Sequence, residues 1–333
     1  MKLLLTIPPN VRFSEVVTHP IVEGIRINTT LPIQGTIEDY LQQAQEQADK
    51  KDVWVDLKCR QLRIINYTVD FHNDRETHYI ELSHKIKVHL PVEMYIDDGN
   101  FSATITDILN GNKLVVPGSV QKKEGLPLPV SSQSGIRPGM SISILDKSLE
   151  IDGYLTDKDK EYVESSRKIG MHRYMLSFVE QGSDIDSVRN LDPDAIILAK
   201  IESEKGLDFV RQDYRNYRNN ITLMAARGDL YVEVDKPDKI INACEDIIRL
   251  DPSATFASRM FESLKDLDKI PKCQDLFDVY CGMKLGYKRF LLGDDVCFYK
   301  ESVLAAIHLF DLLAEKYEHY TPKKKIFFGK LQP

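Results

Sequence analysis

The chain has 333 residues, with 44 Lys and Arg against 51 Asp and Glu for a net charge of −7, and 42% of its residues are apolar. These proportions exclude a disordered chain, a collagen and a disulfide-stapled miniature, and they allow either about two domains or one large barrel. A mildly acidic chain has no general attraction for nucleic acid or anionic membrane, so an anionic ligand must be held by locally placed cations.

The chain begins by alternating short apolar runs with helical patterns. A run over 3–7 ends at Pro8-Pro9 and leads into a predicted helix over 13–22. A run over 24–28 ends at Thr29-Thr30 and precedes a solvated helix over 36–47; a third run covers 53–57, with Asp56 and Lys58 at its end. Such runs, bounded by turns and alternating with helices, mark β-α units on a parallel sheet. From 66 to 152 the pattern is β-like instead. Strands are predicted over 79–82, 86–90, 93–96, 101–109, 113–116 and 140–145, separated by turns such as Asp97-Asp98-Gly99 and Asn110-Gly111-Asn112. Short alternating strands between Gly turns argue for an antiparallel β domain.

The β-α rhythm then returns, opened by a helix with Thr156 and Asp159 as N-cap and acidic first turn. Further strands are predicted over 174–179, 195–199, 221–226, 253–257 and 288–292, with helices over 184–190, 237–250, 273–281 and 302–318. Three strands before the insert and five after it make eight, the number that closes a (β/α)8 TIM barrel. Taking the 87 residues of 66–152 out of 333 leaves 246, close to the ~250 typical of that fold. The expected architecture is α/β: a TIM barrel from 1–65 and 153–320, an antiparallel, β-barrel-like domain inserted after strand 3 at 66–152, and a C-terminal tail at 321–333.

In such a barrel functional groups stand at the C-terminal ends of the strands. Arg26, Asn28, Asp56, Lys58, Lys200, Glu202, Asp229 and Ser258 all fall there. Lys200 and Glu202 lie two apart, so a strand points both to one side. Glu202 and Asp229 are hard oxygen ligands suited to Mg²⁺ or Mn²⁺, and Lys200 and Arg26 offer positive charge to phosphate or enolate oxygens. The bland alternative is a strand-end ion pair and a loop acid; eight such residues landing at strand ends weigh against it.

These residues carry a resemblance. Ala199-Lys-Ile-Glu-Ser-Glu-Lys-Gly206, Met224-Ala-Ala-Arg-Gly-Asp-Leu-Tyr-Val-Glu-Val234 and Ala257-Ser-Arg-Met-Phe-Glu-Ser-Leu264 look like consecutive core motifs of pyruvate kinase. Upstream, Arg26-Ile-Asn-Thr-Thr30 resembles the family's R-L-N-F-S, and Asp56-Leu-Lys-Cys-Arg-Gln-Leu-Arg63 resembles D-T-K-G-P-E-I-R. The resemblance implies a cytoplasmic, glycolytic enzyme that moves phosphoryl between phosphoenolpyruvate and ADP. It implies Mg²⁺ (or Mn²⁺) held by Glu202 and Asp229, phosphoryl oxygens met by Lys200 and Arg26, and enolate protonation by Ser258, which stands where the family has Thr. It further implies K⁺ at Asn28, Thr30, Asp56 and the Leu57 carbonyl, the substrate carboxylate at the backbone amides of Arg227 and Gly228, and nucleotide phosphates at Arg63, with Lys123 in the inserted domain.

Departures from the family patterns gather on the nucleotide side. The Gly-Pro of G-P-E-I-R is Cys59-Arg60, its acid is Gln61, and S-G-E-T is Gly293-Asp-Asp-Val296. Either the nucleotide is held in an altered way, or the chain acts on a 2-oxo acid without ADP as a metal-dependent lyase or decarboxylase. A third reading is a catalytically silent relative that binds a phospho-acid. Only a short segment follows the last barrel helix, so the expectation is a monomer, or an oligomer without the family's C-terminal domain contacts.

The weaker signals read as structure. His72, His78, His84 and His89 read as isolated surface imidazoles rather than a metal site, and Asp294-Asp295 reads as a solvated turn after the last strand in preference to a second acidic site at the barrel mouth. The five cysteines lack C-x-x-C spacing and read as reduced thiols. No apolar run approaches the ~18 residues of a membrane span. The basic segment 323–330 reads as a packed or disordered terminus.

Overall fold

The computed structural model describes residues 1–317 except 10, 13, 73–74, 98, 119, 123–134, 235 and 266–269. Eight strands close a parallel barrel: β1 Lys2–Thr6, β2 Val22–Asn28, β3 Asp52–Leu57, β4 Arg173–Leu176, β5 Ile196–Ile201, β6 Ile221–Ala226, β7 Thr255–Ala257 and β8 Arg289–Leu292. Each pairs with its neighbours in this order, and β8 returns to β1. The expected TIM barrel with an inserted β domain is the fold found.

Alternation along the strands divides the core in two. Leu4, Trp54, Met175, Leu198, Met224, Ala226, Ala257 and Leu291 fill the barrel interior. The intervening residues join the helices in a larger outer core. Two residues beyond Leu4, Trp54, Met175 and Leu198 come Thr6, Asp56, Ser177 and Lys200; two further come Lys58 and Glu202. The apolar packing of the interior therefore selects which polar side chains reach the mouth. Gly24 on β2 answers a close approach, since a Cβ there would lie 2.5 Å from the Asp52 carbonyl oxygen on β3.

Helices Ile37–Ala48 and Asp157–Lys168 both open with a reciprocal capping box, Thr36 with Asp39 and Thr156 with Asp159. The helix expected over 13–22 is limited to Ser14–Val17. Pro20 lacks an N–H and restricts His19, which stops the helix short of β2. Helices Glu204–Gln212, Tyr214–Tyr217 and Arg227–Glu233 go beyond the expected set.

The insert is antiparallel. One sheet orders Ile64–His72, Arg75–Leu82, Lys113–Pro117 and Asp107–Leu109; a second orders Gln121–Lys122, Phe101–Ile105, Val92–Ile96 and Ile142–Ser143; Ile86–Lys87 pairs with Glu150–Ile151. Its apolar core, from Leu62 to Ile144, is separate from that of the barrel. Strand Ile64–His72 goes beyond the expected set, and the run expected over 101–109 is broken at Thr106. His78 and His84 are buried, not on the surface. His78 shares the inward parity of Ile80 and Leu82, and its Nδ1 lies 2.6 Å from the Tyr67 hydroxyl. All five cysteines are unpaired, and no described helix is long and apolar enough to cross a membrane. The tail expected at 321–333 lies outside the described residues.

Candidate active site at the mouth of the barrel

Asp56, fully buried at the end of β3, is the hub of the mouth. Its Oδ2 accepts from Arg26 Nε at 2.9 Å, from Arg26 Nη2, and from Lys58 Nζ at 2.7 Å. Lys200 Nζ stands 3.4 Å from Oδ1, an oxygen with no hydrogen bond among the described residues. Burial works against the Asp56 charge, yet Arg26, Lys200 and Lys58 hold its carboxyl well below the usual range. Burial lowers Lys58 to about 8 in spite of Asp56. Lys200 is buried too, but Asp56 and Glu202 outweigh that and push it up to about 12.

Arg26 also donates Nη1 to Thr6 Oγ1 at 3.0 Å and to Asp294 Oδ2 at 2.9 Å, and Asn28 Nδ2 donates to the same Asp294 oxygen at 2.9 Å. This corrects the solvated turn expected at Asp294-Asp295: Asp295 is exposed, whereas Asp294 belongs to the site. The cause is donor number. A buried guanidinium has five N–H groups, more than Asp56 alone can satisfy, and the end of β8 is the next source of a carboxylate.

Glu202, buried at the end of β5, has Oε1 3.1 Å from Lys200 Nζ and accepts the Phe178 N–H at 2.7 Å through Oε2. Burial, opposed by Lys200 and reinforced by Asp229, pushes Glu202 up to about 7. Asp229 lies in the first turn of Arg227–Glu233, just past β6, and accepts from Gln61 Nε2 at 3.4 Å. Glu233, on the same helix, is pushed up to about 8 by burial, Asp229 and Glu180. Carboxylates that raise one another's proton affinity favour a cation among them, and hard oxygen donors suit Mg²⁺ or Mn²⁺.

Ser258 follows β7 in a left-handed backbone, φ +76°, with Arg259 at +59°. Non-glycine residues hold that conformation at a cost and gather at functional sites. A Cβ added to Gly228 would lie 3.5 Å from Ser258 Oγ, so the start of the Arg227–Glu233 helix packs against that hydroxyl. Arg227 turns its side chain away. It meets Asp278 at 2.6 and 2.8 Å, donates Nε to the Ala257 carbonyl at 3.0 Å, and lies 3.8 Å over the Phe256 ring. Only its backbone is left for a ligand.

The nucleotide-side residues are similarly engaged. Arg63 donates Nε to Gln61 Oε1 at 3.1 Å, repeats the contact through Nη2, and donates Nη1 to the Gly139 carbonyl of the insert. Arg60, in the place of the family's Pro, pairs with Asp184 at 2.6 Å and Glu180 at 3.2 Å. Lys123 lies outside the described residues. Among the residues expected around K⁺, Asn28 Oδ1 accepts from Thr30 Oγ1 at 2.9 Å and the Leu57 carbonyl accepts from Ser177 Oγ at 2.9 Å. Thr30 Oγ1 and Asp56 Oδ1 keep lone pairs for a cation.

Sequence reading passed over Ser177, whose Oγ accepts from Lys200 at 2.7 Å; its spacing from Met175 was the available signal. Among the described residues, three side chains that could share a metal come together at His172, Asp192 and Asp194. They lie below β4 and β5, at the opposite end of the barrel. There His172 Nδ1 is 2.8 Å from Asp192 Oδ2, which also accepts from the Tyr174 hydroxyl at 2.7 Å. Such groups at the N-terminal face serve stability.

The family model for the pyruvate kinase barrel domain matches residues 34–279. A pyruvate kinase from Borreliella burgdorferi is 22% identical over 253 residues, covering 69% of this chain and 51% of the relative. One from Debaryomyces hansenii is 25% identical over 243 residues, covering 69% and 44%. One from Agrobacterium vitis is 31% identical over 163 residues, covering 46% and 30%. The chain thus spans about half or less of the length of these relatives. With the barrel, its insert and the order of its strand-end residues all in accord with a match across most of its length, this chain belongs to the pyruvate kinase family.

Proposed function

We propose that the chain transfers a phosphoryl group between phosphoenolpyruvate and ADP, with Mg²⁺ or Mn²⁺ held by Glu202 and Asp229. The observation that carries this reading is the carboxylates of buried Glu202 and half-buried Asp229, just past the ends of β5 and β6, with protonated Lys200 3.1 Å from Glu202. A bound divalent ion there supplies charge neutralisation to phosphoryl and enolate oxygens. Lys200, kept protonated by Asp56 and Glu202, meets the charge that spreads over the phosphoryl oxygens in a loose transition state. Ser258 delivers or removes the proton at C3 of the enolate, with the Gly228 backbone beside its hydroxyl. Arg26 offers phosphate the one N–H left after Thr6, Asp56 and Asp294. A K⁺ ion would find lone pairs at Thr30 Oγ1 and Asp56 Oδ1, whereas Asn28 Oδ1 already accepts from the Thr30 N–H and hydroxyl and the Leu57 carbonyl from Ser177.

One observation favours a second reading. Arg63, the described side chain expected at the nucleotide phosphates, directs its guanidinium to Gln61 and Gly139 and is bound within the protein. In that reading the metal site acts on a 2-oxo acid without ADP, as a lyase or decarboxylase, or binds a phospho-acid silently. Pyruvate formation from phosphoenolpyruvate with and without ADP, beside proton exchange at C3 of pyruvate, separates these cases. ADP-dependent turnover that falls about 10²–10³-fold in Lys200→Met is the expected result. Exchange or decarboxylation indifferent to ADP would replace the first reading with the second, and stabilisation by phosphoenolpyruvate without any turnover points to a silent binder.

A further inference from the structure

Three buried cations contact Asp56, and one of them has no task in the reaction above. Arg26 has five N–H groups, four of them directed to Asp56, Thr6 and Asp294. The three N–H groups of Lys200 face three oxygens, Ser177 Oγ at 2.7 Å, Glu202 Oε1 at 3.1 Å and Asp56 Oδ1 at 3.4 Å. Lys58 differs. Its ammonium meets Asp56 Oδ2 at 2.7 Å and no other acceptor among the described residues, although its side chain is only 9% exposed. Two N–H groups of a buried ammonium are left over, an arrangement that costs free energy unless a ligand takes them.

The position is built, not incidental. Lys58 continues the inward parity of Trp54 and Asp56. Its backbone N–H is fixed by Asp159 Oδ1 at 2.9 Å, and the next N–H, of Cys59, by Asp159 Oδ2 at 3.1 Å. Because Lys58 and Lys200 stand on the two oxygens of one carboxylate, they are separated by no more than those two contacts and the width of that group. A phosphoryl group has oxygens enough to meet both.

We propose that Lys58 is a direct ligand of the substrate's phosphoryl oxygens, the second ammonium of an anion site shared with Lys200. The identity of the substrate rests on the phosphotransferase reading; the anion site does not. The test measures binding of inorganic phosphate and of phosphoenolpyruvate to the full chain by thermal shift, for the unmodified protein, Lys58→Met, Lys58→Gln and Lys58→Arg. Both anions stabilise the unmodified protein, Lys58→Met and Lys58→Gln weaken both by about 10–100-fold, and Lys58→Arg stays near the starting value. Affinity for Mn²⁺ alone is unchanged in all four, which a role confined to neutralising Asp56 does not predict. Lys58→Gln keeps a donor for Asp56 and so retains the fold if Lys58→Met loses it. The proposal is overturned if phosphate binds Lys58→Gln as tightly as the unmodified protein, if it binds neither, or if Mn²⁺ affinity falls in step. If phosphate binding follows the expected pattern but no pyruvate forms, Lys58 keeps its role and the phosphotransferase reading falls alone.

Discussion

The two flanks of the barrel mouth both carry charged residues and use them differently. On the metal flank Asp229 adds to the proton affinity of buried Glu202, and Asp229 and Glu202 add to that of Glu233, while Lys58 keeps N–H groups without a partner among the described residues. On the nucleotide flank Arg63 and Arg60 are matched to Gln61, Gly139, Asp184 and Glu180, and the Arg227 side chain beside Ser258 is matched to Asp278. Charge alone does not mark a ligand site. Unmatched valence does, because a buried donor or acceptor without a partner is stabilised by whatever supplies one.

The metal flank depends on Asp159, which fixes the loop carrying Lys58 and also closes the Thr156 capping box. Asp159→Ala should lower stability by about 3 kcal/mol, read by urea denaturation, because several buried N–H groups lose one acceptor. Unchanged stability would mean the loop is held by something else. Beside Ser258, Asp278→Ala should cost about 1–2 kcal/mol by stranding the Arg227 side chain, with no change in phosphoenolpyruvate affinity because only the Arg227 backbone is offered to the ligand. Arg63→Ala should change the KM for ADP by less than about threefold, since its guanidinium is already matched. A rise of tenfold or more would show that Arg63 leaves Gln61 and Gly139 for the nucleotide, and the contrast between the flanks would be lost.

The smallest effect concerns buried His84 in the insert. Burial lowers the His84 pKa below its ordinary 6.5. The fold therefore favours the neutral ring: its contribution is complete above pH 6.5 and is lost as the pH falls below it. Stability measured between pH 7.5 and 5.5 should fall less steeply in His84→Gln; parallel slopes would contradict this.

The barrel was legible in the sequence because parallel strands buried on both faces leave short apolar runs, and eight of them recur between helices. Arg26, Asp56, Lys200 and Glu202 were legible because strand parity fixes where a side chain points. What escaped depends on long-range pairing. Asp294 reads locally as a turn acid, and its partner Arg26 lies 268 residues away in sequence. Arg60 reads as a lost Pro until the β4 loop brings Glu180 and Asp184 to it. Ile64–His72 escaped because its polar residues, among them Asn66 and Asp70, hide a strand stabilised by pairing with Arg75–Leu82. The helix expected over 13–22 ends at Val17 because of a local feature, Pro20, which cannot donate to the helix and restricts the residue before it.

The most direct measurement is a Mn²⁺ titration of the unmodified protein and of Glu202→Gln, following free Mn²⁺ by electron paramagnetic resonance. The unmodified protein should bind one ion, more tightly when phosphoenolpyruvate is present, and Glu202→Gln should lose about 100-fold or more in affinity. Equal binding by the two proteins would mean that the metal, and with it the reaction, is not centred on Glu202 and Asp229.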